Sequence, residues 1–207
     1  MTFETERSGR QPILNLPPAT KVLLVVNLMI HGARLLLSSD QDDLFIALFG
    51  FTPVRLVDPD PYFWTAVLSP LTYQFLHGSW THVAMNMLGL APFGAGVERR
   101  LGVARFLGFY LLCGIAGALL QFAVDPSSEV PLIGASAAVS GLFGGVLRFG
   151  EFRQGFWTIV AVWLVMNVGV GLLGAPGVDA PIAWIAHIGG FACGLALFPV
   201  FERFRRY

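Results

Sequence analysis

The sequence predicts an all-α polytopic membrane protein. Hydrophobic residues make up 55% of its 207 residues and charged residues only 13%, which is too apolar for an ordinary soluble domain. A membrane-spanning helix needs about 20 mostly apolar residues, and six runs approach or meet that length. They are residues 20–38, 80–97, 103–124, 134–150, 156–174 and 182–201. We therefore expect one six-helix membrane domain over residues 20–202.

The placement of charges predicts the orientation of this bundle. Basic residues collect at one end of the predicted helices: Arg7, Arg10, Lys21, Arg99, Arg100, Arg105, Arg148, Arg153, Arg203, Arg205 and Arg206. The other end holds only Arg34 and Arg55, together with Asp40, Asp42, Asp43, Asp58, Asp60, Asp125, Glu129 and Asp179. The excess of lysine and arginine marks the cytoplasmic side. The tail 1–19 and the basic end 203–207 are then both cytosolic.

The first predicted helix, 20–38, has few polar residues. Asn27 and His31 are candidates for contacts with neighbouring helices, and Arg34 is expected to extend to the outer interface. The loop 39–79 that follows is too long and too apolar for a simple connector. Its apolar and aromatic stretches predict short segments in the outer interface. Whether this loop shapes substrate access or only covers the bundle stays open.

The second predicted helix carries His82 and Asn86, which are four residues apart and so share one face. Polar groups inside a membrane span are functional candidates by default. The alternative is that they hold the bundle together through interhelical hydrogen bonds. We interpret His77 as structural. The turn 96–102 also reads as structural, with Glu98 either pairing with a neighbouring arginine or capping a following N–H group.

A serine and a histidine lie in two later helices. Ser136 and Ser140 open the fourth predicted helix, and His187 lies early in the sixth. Held together away from water, a serine and a histidine can act as a nucleophile and its general base. The fifth predicted helix, 156–174, is nearly all apolar, with Asn167 as its main polar residue, and we expect it to be peripheral.

The depth of these residues is the main argument for a shared site. With the N-terminus inside, the second, fourth and sixth helices all run from outside to inside. At 1.5 Å per residue, His82, Asn86, Ser136 and His187 then fall within roughly 10 Å of the outer helix ends. A random scatter of polar residues would not share one layer so readily.

Ser136 and Ser140 are rival nucleophiles on one helix face. The first turn of a helix has free N–H groups, so Ser136 can offer its own N–H to an oxyanion. The N–H of Ser140 should already bond the carbonyl of Ser136, and its hydroxyl is expected to bond a backbone carbonyl. We therefore predict Ser136 as nucleophile, with His187 as base and His82 and Asn86 as oxyanion donors.

No acidic residue shares this layer in the second, fourth or sixth helix, so a dyad is expected and not a full triad. Two histidines without carboxylate or thiolate neighbours are poor zinc ligands. We expect neither a metal nor a cofactor.

At these residues the chain resembles the rhomboid intramembrane serine proteases. The matching blocks are 75–86 (FLHGSWTHVAMN), 96–102 (GVERRLG), 134–136 (GAS) and 186–190 (AHIGG) with Gly194. They cover about residues 70–200 in the family's order. The resemblance implies a six-helix rhomboid-like bundle, a Ser136/His187 dyad and oxyanion help from His82 and Asn86. It also implies that the substrates are transmembrane proteins cut near the outer membrane surface.

The chain departs from the family pattern at four places. Ala137 replaces the last glycine of GxSG, and its methyl group either moves the sixth helix away from Ser136 or is absorbed. Leu68-Ser69 stands where the family has a tryptophan-arginine pair, and Ile182 where a glycine is expected. Ser140 stands where an aromatic residue often stacks on the histidine.

Three functions are open at this stage. The first is an intramembrane serine endopeptidase, and the alternative is a catalytically inactive rhomboid-like binder of transmembrane helices. A transporter or proton relay is weaker, because no charged residue lies near mid-membrane in the second to sixth helices. We expect a multi-pass protein of a bacterial inner membrane, whose partners are lipid and transmembrane substrates. No basic patch predicts nucleic-acid binding, and the sequence leaves the oligomeric state unknown.

Overall fold

The computed structural model describes residues 15–150, 155–174 and 183–203, which are helical or lie in short connections apart from one isolated β-bridge. The helices are α1 Pro18–Arg34, α2 Ser39–Phe49, α3 Val54–Val57, α4 Phe63–Thr72, α5 Trp80–Leu101, α6 Val103–Val124, α7 Ser136–Phe149, α8 Phe156–Leu173 and α9 Trp184–Arg203. A 3₁₀ turn, Tyr73–Phe75, follows α4. The predicted all-α class is confirmed.

Three of these helices, α6, α8 and α9, are long and apolar enough to cross a membrane. The helix α7 is apolar but shorter. The predicted total of six spans and the positions of the termini stay predictions. The tail up to residue 14, Arg153, Asp179, Ile182 and the basic residues Arg205 and Arg206 lie outside the described residues.

The helices α6, α7 and α9 form the centre of the bundle. A Cβ atom added to Gly190 would overlap the carbonyl of Ala137, and one added to Gly194 would overlap the carbonyl of Gly141. Small residues at both positions therefore let the backbones of α7 and α9 touch. This contact fixes the distance between the N-terminal ends of the two helices.

The helix α8 lies at the periphery, as the sequence predicts. Only Val160 of α8 is buried within the bundle. Trp163 stacks on Phe191 of α9, with ring centroids 4.1 Å apart. The helix therefore rests on α7 and α9 along one narrow face and presents the rest of its apolar surface outward.

Glu98 at the end of α5 has a partner that the sequence did not predict. Its carboxylate accepts hydrogen bonds from the N–H groups of Ala19 (2.9 Å) and Thr20 (2.6 Å) and from the hydroxyl of Thr20 (2.7 Å). Those are free donors in the first turn of α1, whose dipole favours a negative charge there. The expected pairing of Glu98 with an arginine is therefore wrong. Glu98 does cap backbone N–H groups, but they belong to α1 and not to the residues that follow it.

Arg34, the last residue of α1, is buried, with 7% of its surface exposed, and its expected reach to the outer interface stays a prediction. Its guanidinium makes a two-pronged bond to Asp42 of α2 (2.7 and 2.9 Å) and donates to the carbonyl of His77 (2.7 Å). A planar guanidinium fits a carboxylate in this way. Arg34 therefore ties the end of α1 to the loop 39–79.

The loop 39–79 is itself built of the short helices α2, α3 and α4. Arg55 organises it by donating to Asp60 (2.7 Å), to the carbonyl of Ala47 (2.7 Å) and to Thr65 (2.9 Å). The hydrogen bond from the Arg55 guanidinium lowers the pKa of Asp60 below its usual value. The loop is an ordered layer over the ends of the main helices.

We predict that Glu98→Ala destabilises the protein, because it leaves the first turn of α1 without acceptors. The free energy of unfolding should fall by about 1–3 kcal/mol, the usual cost of unsatisfied buried donors. Thermal unfolding in detergent micelles measures this change. The matched control is Glu202→Ala, which removes a partly exposed pair with Arg100 and should cost less than about 1 kcal/mol. Equal effects of the two substitutions would contradict the role given to Glu98.

Candidate active site

The side chains of Ser136 and His187 meet at the N-terminal ends of α7 and α9. Ser136 is the first residue of α7, and His187 lies in the first turn of α9. Their Oγ and Nε2 atoms are 2.8 Å apart, which is hydrogen-bonding distance. The two helices therefore present a hydroxyl and an imidazole to each other at one level of the bundle.

A third side chain, Asn167 of α8, completes a line of hydrogen bonds. Its Oδ1 lies 2.8 Å from Nδ1 of His187, and its Nδ2 donates to the carbonyl of Trp184 at 2.9 Å. Asn167 is not among the site residues that the sequence predicts. The sequence does indicate an interior contact for this residue, because Asn167 is the main polar residue of an otherwise apolar helix. Such residues usually face the bundle interior.

These contacts fix the proton positions on a neutral His187. Nδ2 of Asn167 must face the carbonyl of Trp184, because the opposite amide orientation would bring two acceptors together. Oδ1 therefore faces His187, and Nδ1 of the imidazole carries the proton that it accepts. Nε2 is left with its lone pair directed at the hydroxyl of Ser136, as a general base requires.

The backbone that leads into Ser136 is held from three sides. Leu132 forms an isolated antiparallel bridge with Phe51, and the N–H of Gly134 donates to the carbonyl of Tyr73 at 3.0 Å. The N–H of Ala135 points to Nε2 of the buried His77 at 3.4 Å. The loop 39–79 therefore positions the first turn of α7, and His77 supports the backbone just before Ser136.

His82 faces the same space as Ser136. Nδ1 of His82 accepts a long hydrogen bond from the N–H of Gly78 (3.4 Å), so a neutral ring carries its proton on Nε2. A Cβ atom at Gly134 would lie 2.7 Å from that Nε2 and 3.6 Å from Oγ of Ser136. Gly134 has a φ of 122°, a conformation that favours glycine. Its missing side chain leaves open the space between donor and hydroxyl.

Asn86 lies one turn beyond His82 on α5 and is buried. Its Nδ2 donates to the carbonyl of His82 at 3.1 Å, a bond within its own helix. The structure thus brings Ser136, His187 and His82 together, whereas Asn86 makes no direct bond to Ser136 among the described residues. The second N–H of the Asn86 amide has no partner among the described residues.

The methyl group of Ala137, a departure from the family pattern, is absorbed by the fold. Ala137 is buried, and its Cβ faces Cα of Gly117 on α6, where an added Cβ would come within 2.6 Å. Because Gly117 has no side chain, Ala137 fits without separating α7 from α9.

Ser140, the rival nucleophile, is one turn away from this contact. The expected bond from its hydroxyl to a backbone carbonyl is absent among the described residues. Likewise, the described residues include no group of three or more His, Cys, Asp or Glu side chains that is suited to hold a metal ion.

The fold and the site together define a helical membrane protein with a half-buried serine–histidine pair. The Rhomboid domain family model matches residues 63–204. The chain therefore belongs to the rhomboid family.

Named relatives come from plants, bacteria and mitochondria. RHOMBOID-like protein 4 of Arabidopsis thaliana is 39% identical over 132 residues, 61% of this chain and 32% of that protein. Rhomboid protease GluP of Bacillus subtilis is 33% identical over 136 residues, 63% of this chain and 25% of that protein. Rhomboid protein 1, mitochondrial, of Saccharomyces cerevisiae is 32% identical over 133 residues, 64% of this chain and 36% of that protein.

These matches limit which properties of the relatives can be assigned to this chain. Each aligned region spans about a third or less of the relative's own length. The relatives support membrane location, but their range from plant to mitochondrial and bacterial proteins does not support the bacterial inner membrane in particular.

We predict that Gly134→Ala disrupts the site, because the new methyl group would collide with His82 and strain the backbone. The cost should be about 1–3 kcal/mol of stability, measured by thermal unfolding in detergent. Gly169→Ala on α8 is the control, since a Cβ there meets nothing within 4 Å and should leave the unfolding temperature nearly unchanged. Wild-type stability of Gly134→Ala would contradict the close approach to His82.

Proposed function

We propose that this protein is an intramembrane serine endopeptidase that hydrolyses peptide bonds of transmembrane proteins. Ser136 is the nucleophile and His187 the general base. The observation that carries the proposal is the 2.8 Å contact between Oγ of Ser136 and Nε2 of His187. Membership of a family whose named relatives include proteases adds support.

The reaction uses the His187 imidazole twice. In the first step Oγ attacks the scissile carbonyl carbon while Nε2 takes the hydroxyl proton. The tetrahedral intermediate collapses when Nε2 returns that proton to the leaving amine, which leaves an ester on Ser136. Water then attacks the ester, with Nε2 accepting its proton, and the serine hydroxyl is restored as the carboxylic product leaves.

The developing oxyanion is stabilised by donors around Gly134. The N–H of Ser136 belongs to the first turn of α7, where no intrahelical acceptor exists. Nε2–H of His82 lies across the space beside Gly134, and the second N–H of Asn86 is the further donor. Such donors are effective when they are fixed before charge develops.

The proposed topology keeps six membrane spans, namely α1, α5, α6, α7, α8 and α9, with both termini in the cytoplasm. The basic residues Arg99, Arg100 and Arg105 flank the junction of α5 and α6, at the end opposite to Ser136. The site then lies toward the extracytoplasmic surface, beneath the loop 39–79. Substrates are transmembrane segments, and both they and water enter at this end.

We predict that Ser136→Ala abolishes cleavage of a generic transmembrane substrate by purified protein. In soluble serine proteases, removal of the nucleophile costs on the order of 10⁶-fold in rate. The same variant should lose labelling by a fluorophosphonate, which reacts with an activated serine. Ser140→Ala is the matched control, because it removes the rival hydroxyl one turn away and should keep both activities.

Two results would contradict this assignment. Undiminished cleavage by Ser136→Ala would rule out the nucleophile. If folded wild-type protein neither cleaves nor takes the label but still binds transmembrane helices, the chain is the inactive binder.

We further predict that His82→Ala and Asn86→Ala each lower kcat, because each removes one oxyanion donor. A single donor is worth about 10²–10³-fold in kcat, and KM should change little if the donor acts only in the transition state. Steady-state cleavage kinetics measure the split. An unchanged kcat for either variant would remove that residue from the oxyanion site.

A further inference from the structure

The orientation of the His187 ring depends on few contacts. Among the described residues, no aromatic ring stacks on it, so the ring is aligned by hydrogen bonds at its two nitrogens. One of these bonds goes to Ser136, the group that it must activate. The other goes to Asn167, which therefore is the support that stays in place when the serine hydroxyl reacts.

Asn167 is itself held in one orientation. Its Nδ2 bonds the carbonyl of Trp184 at the start of α9, three residues before His187. The amide thus bridges the backbone and the side chain of the same helical turn. A side chain anchored at both ends is pre-organised, because little further freedom is lost in the reacting complex.

We propose that Asn167 is a positioning residue for His187, so that this chain works with a Ser136–His187–Asn167 line and not with a bare dyad. The proposal rests on the proposed function and assigns a role to a residue outside the predicted dyad. Oδ1 keeps the proton on Nδ1 and leaves the lone pair of Nε2 on Ser136. When the imidazolium forms, the same carbonyl oxygen accepts a stronger, charge-assisted bond.

The position of Asn167 on α8 links this alignment to a peripheral helix. The α8 helix contributes only Val160 to the buried core, and its main side-chain anchor to α9 besides Asn167 is the Trp163–Phe191 stack. The hydrogen bond that aligns His187 through Nδ1 is therefore kept only while α8 lies against α9.

The experiment compares Asn167→Leu and Asn167→Asp with wild-type protein and Ser136→Ala. Leucine has a similar size but cannot hydrogen-bond, whereas aspartate restores an acceptor for Nδ1 and adds a negative charge. The readouts are the rate of fluorophosphonate labelling, kcat and KM for a transmembrane substrate, and the pH–rate profile. Met166→Ala, on the outward face of the same helix and 64% exposed, is the control for changes in α8 itself.

We expect Asn167→Leu to label about tenfold more slowly and to lose kcat with little change in KM, since one hydrogen bond at the base is lost. Asn167→Asp should recover much of that rate. It should also move the acid limb of its pH–rate profile upward by about one pH unit or more, because a carboxylate favours the imidazolium. His82 is the other imidazole facing the site, and it is the same in every variant, so a shift seen only with aspartate belongs to His187.

Wild-type rates in Asn167→Leu would overturn the proposal, as would folded leucine and aspartate variants that are equally slow with an unshifted profile. If Asn167→Leu does not fold, the profile of Asn167→Asp decides alone, a shift supporting the role and an unshifted profile refuting it. Failure of the proposed function looks different, because wild-type protein would then label no more than Ser136→Ala does.

Discussion

The close backbone contact between α7 and α9 is the constraint on which the site depends. Gly190 and Gly194 present no side chains to Ala137 and Gly141, so the two helices touch along their length. A hydroxyl is short, and its oxygen can reach an imidazole on another helix only if the backbones are this near. The additional methyl of Ala137 is tolerated because Gly117 of α6 provides the space. The three central helices therefore share one tightly packed seam.

Three buried polar groups in this bundle secure the ends of elements. Glu98 caps the first turn of α1, Arg34 binds the carbonyl of His77, and His77 receives the N–H of Ala135 just before Ser136. A polar group buried without a partner is costly, so each of these bonds is strongly favoured once the helices assemble. The path from Arg34 through His77 to Ala135 connects the first helix to the backbone of the nucleophile.

Sequence reasoning placed the main helices well, because long apolar runs carry a clear signal. It ended the second predicted helix at 97, whereas α5 continues to Leu101, since the buried Glu98 reads as a turn residue until its partner on α1 is known. Shared depth also predicted that Ser136 and His187 lie close together, and their side chains are 2.8 Å apart. Sequence reasoning missed the contact between Asn167 and His187 and the partner of Glu98. In both cases the partner is distant in the sequence. Hydrophobic periodicity does not indicate which distant residues meet, nor which face of a helix packs against its neighbours.

The capping of α1 by Glu98 also links the region that matches the family to a helix that lies outside that region. The family model matches the chain from residue 63 onward. The carboxylate of Glu98 lies inside this region, but Ala19 and Thr20, whose N–H groups donate to it, lie before the region. A fragment cut at the homology boundary would keep Glu98 and lose all three of its donors. It would also lose the guanidinium that holds the carbonyl of His77. The first helix, although it precedes the matched region, therefore supplies the partners of a buried carboxylate within that region.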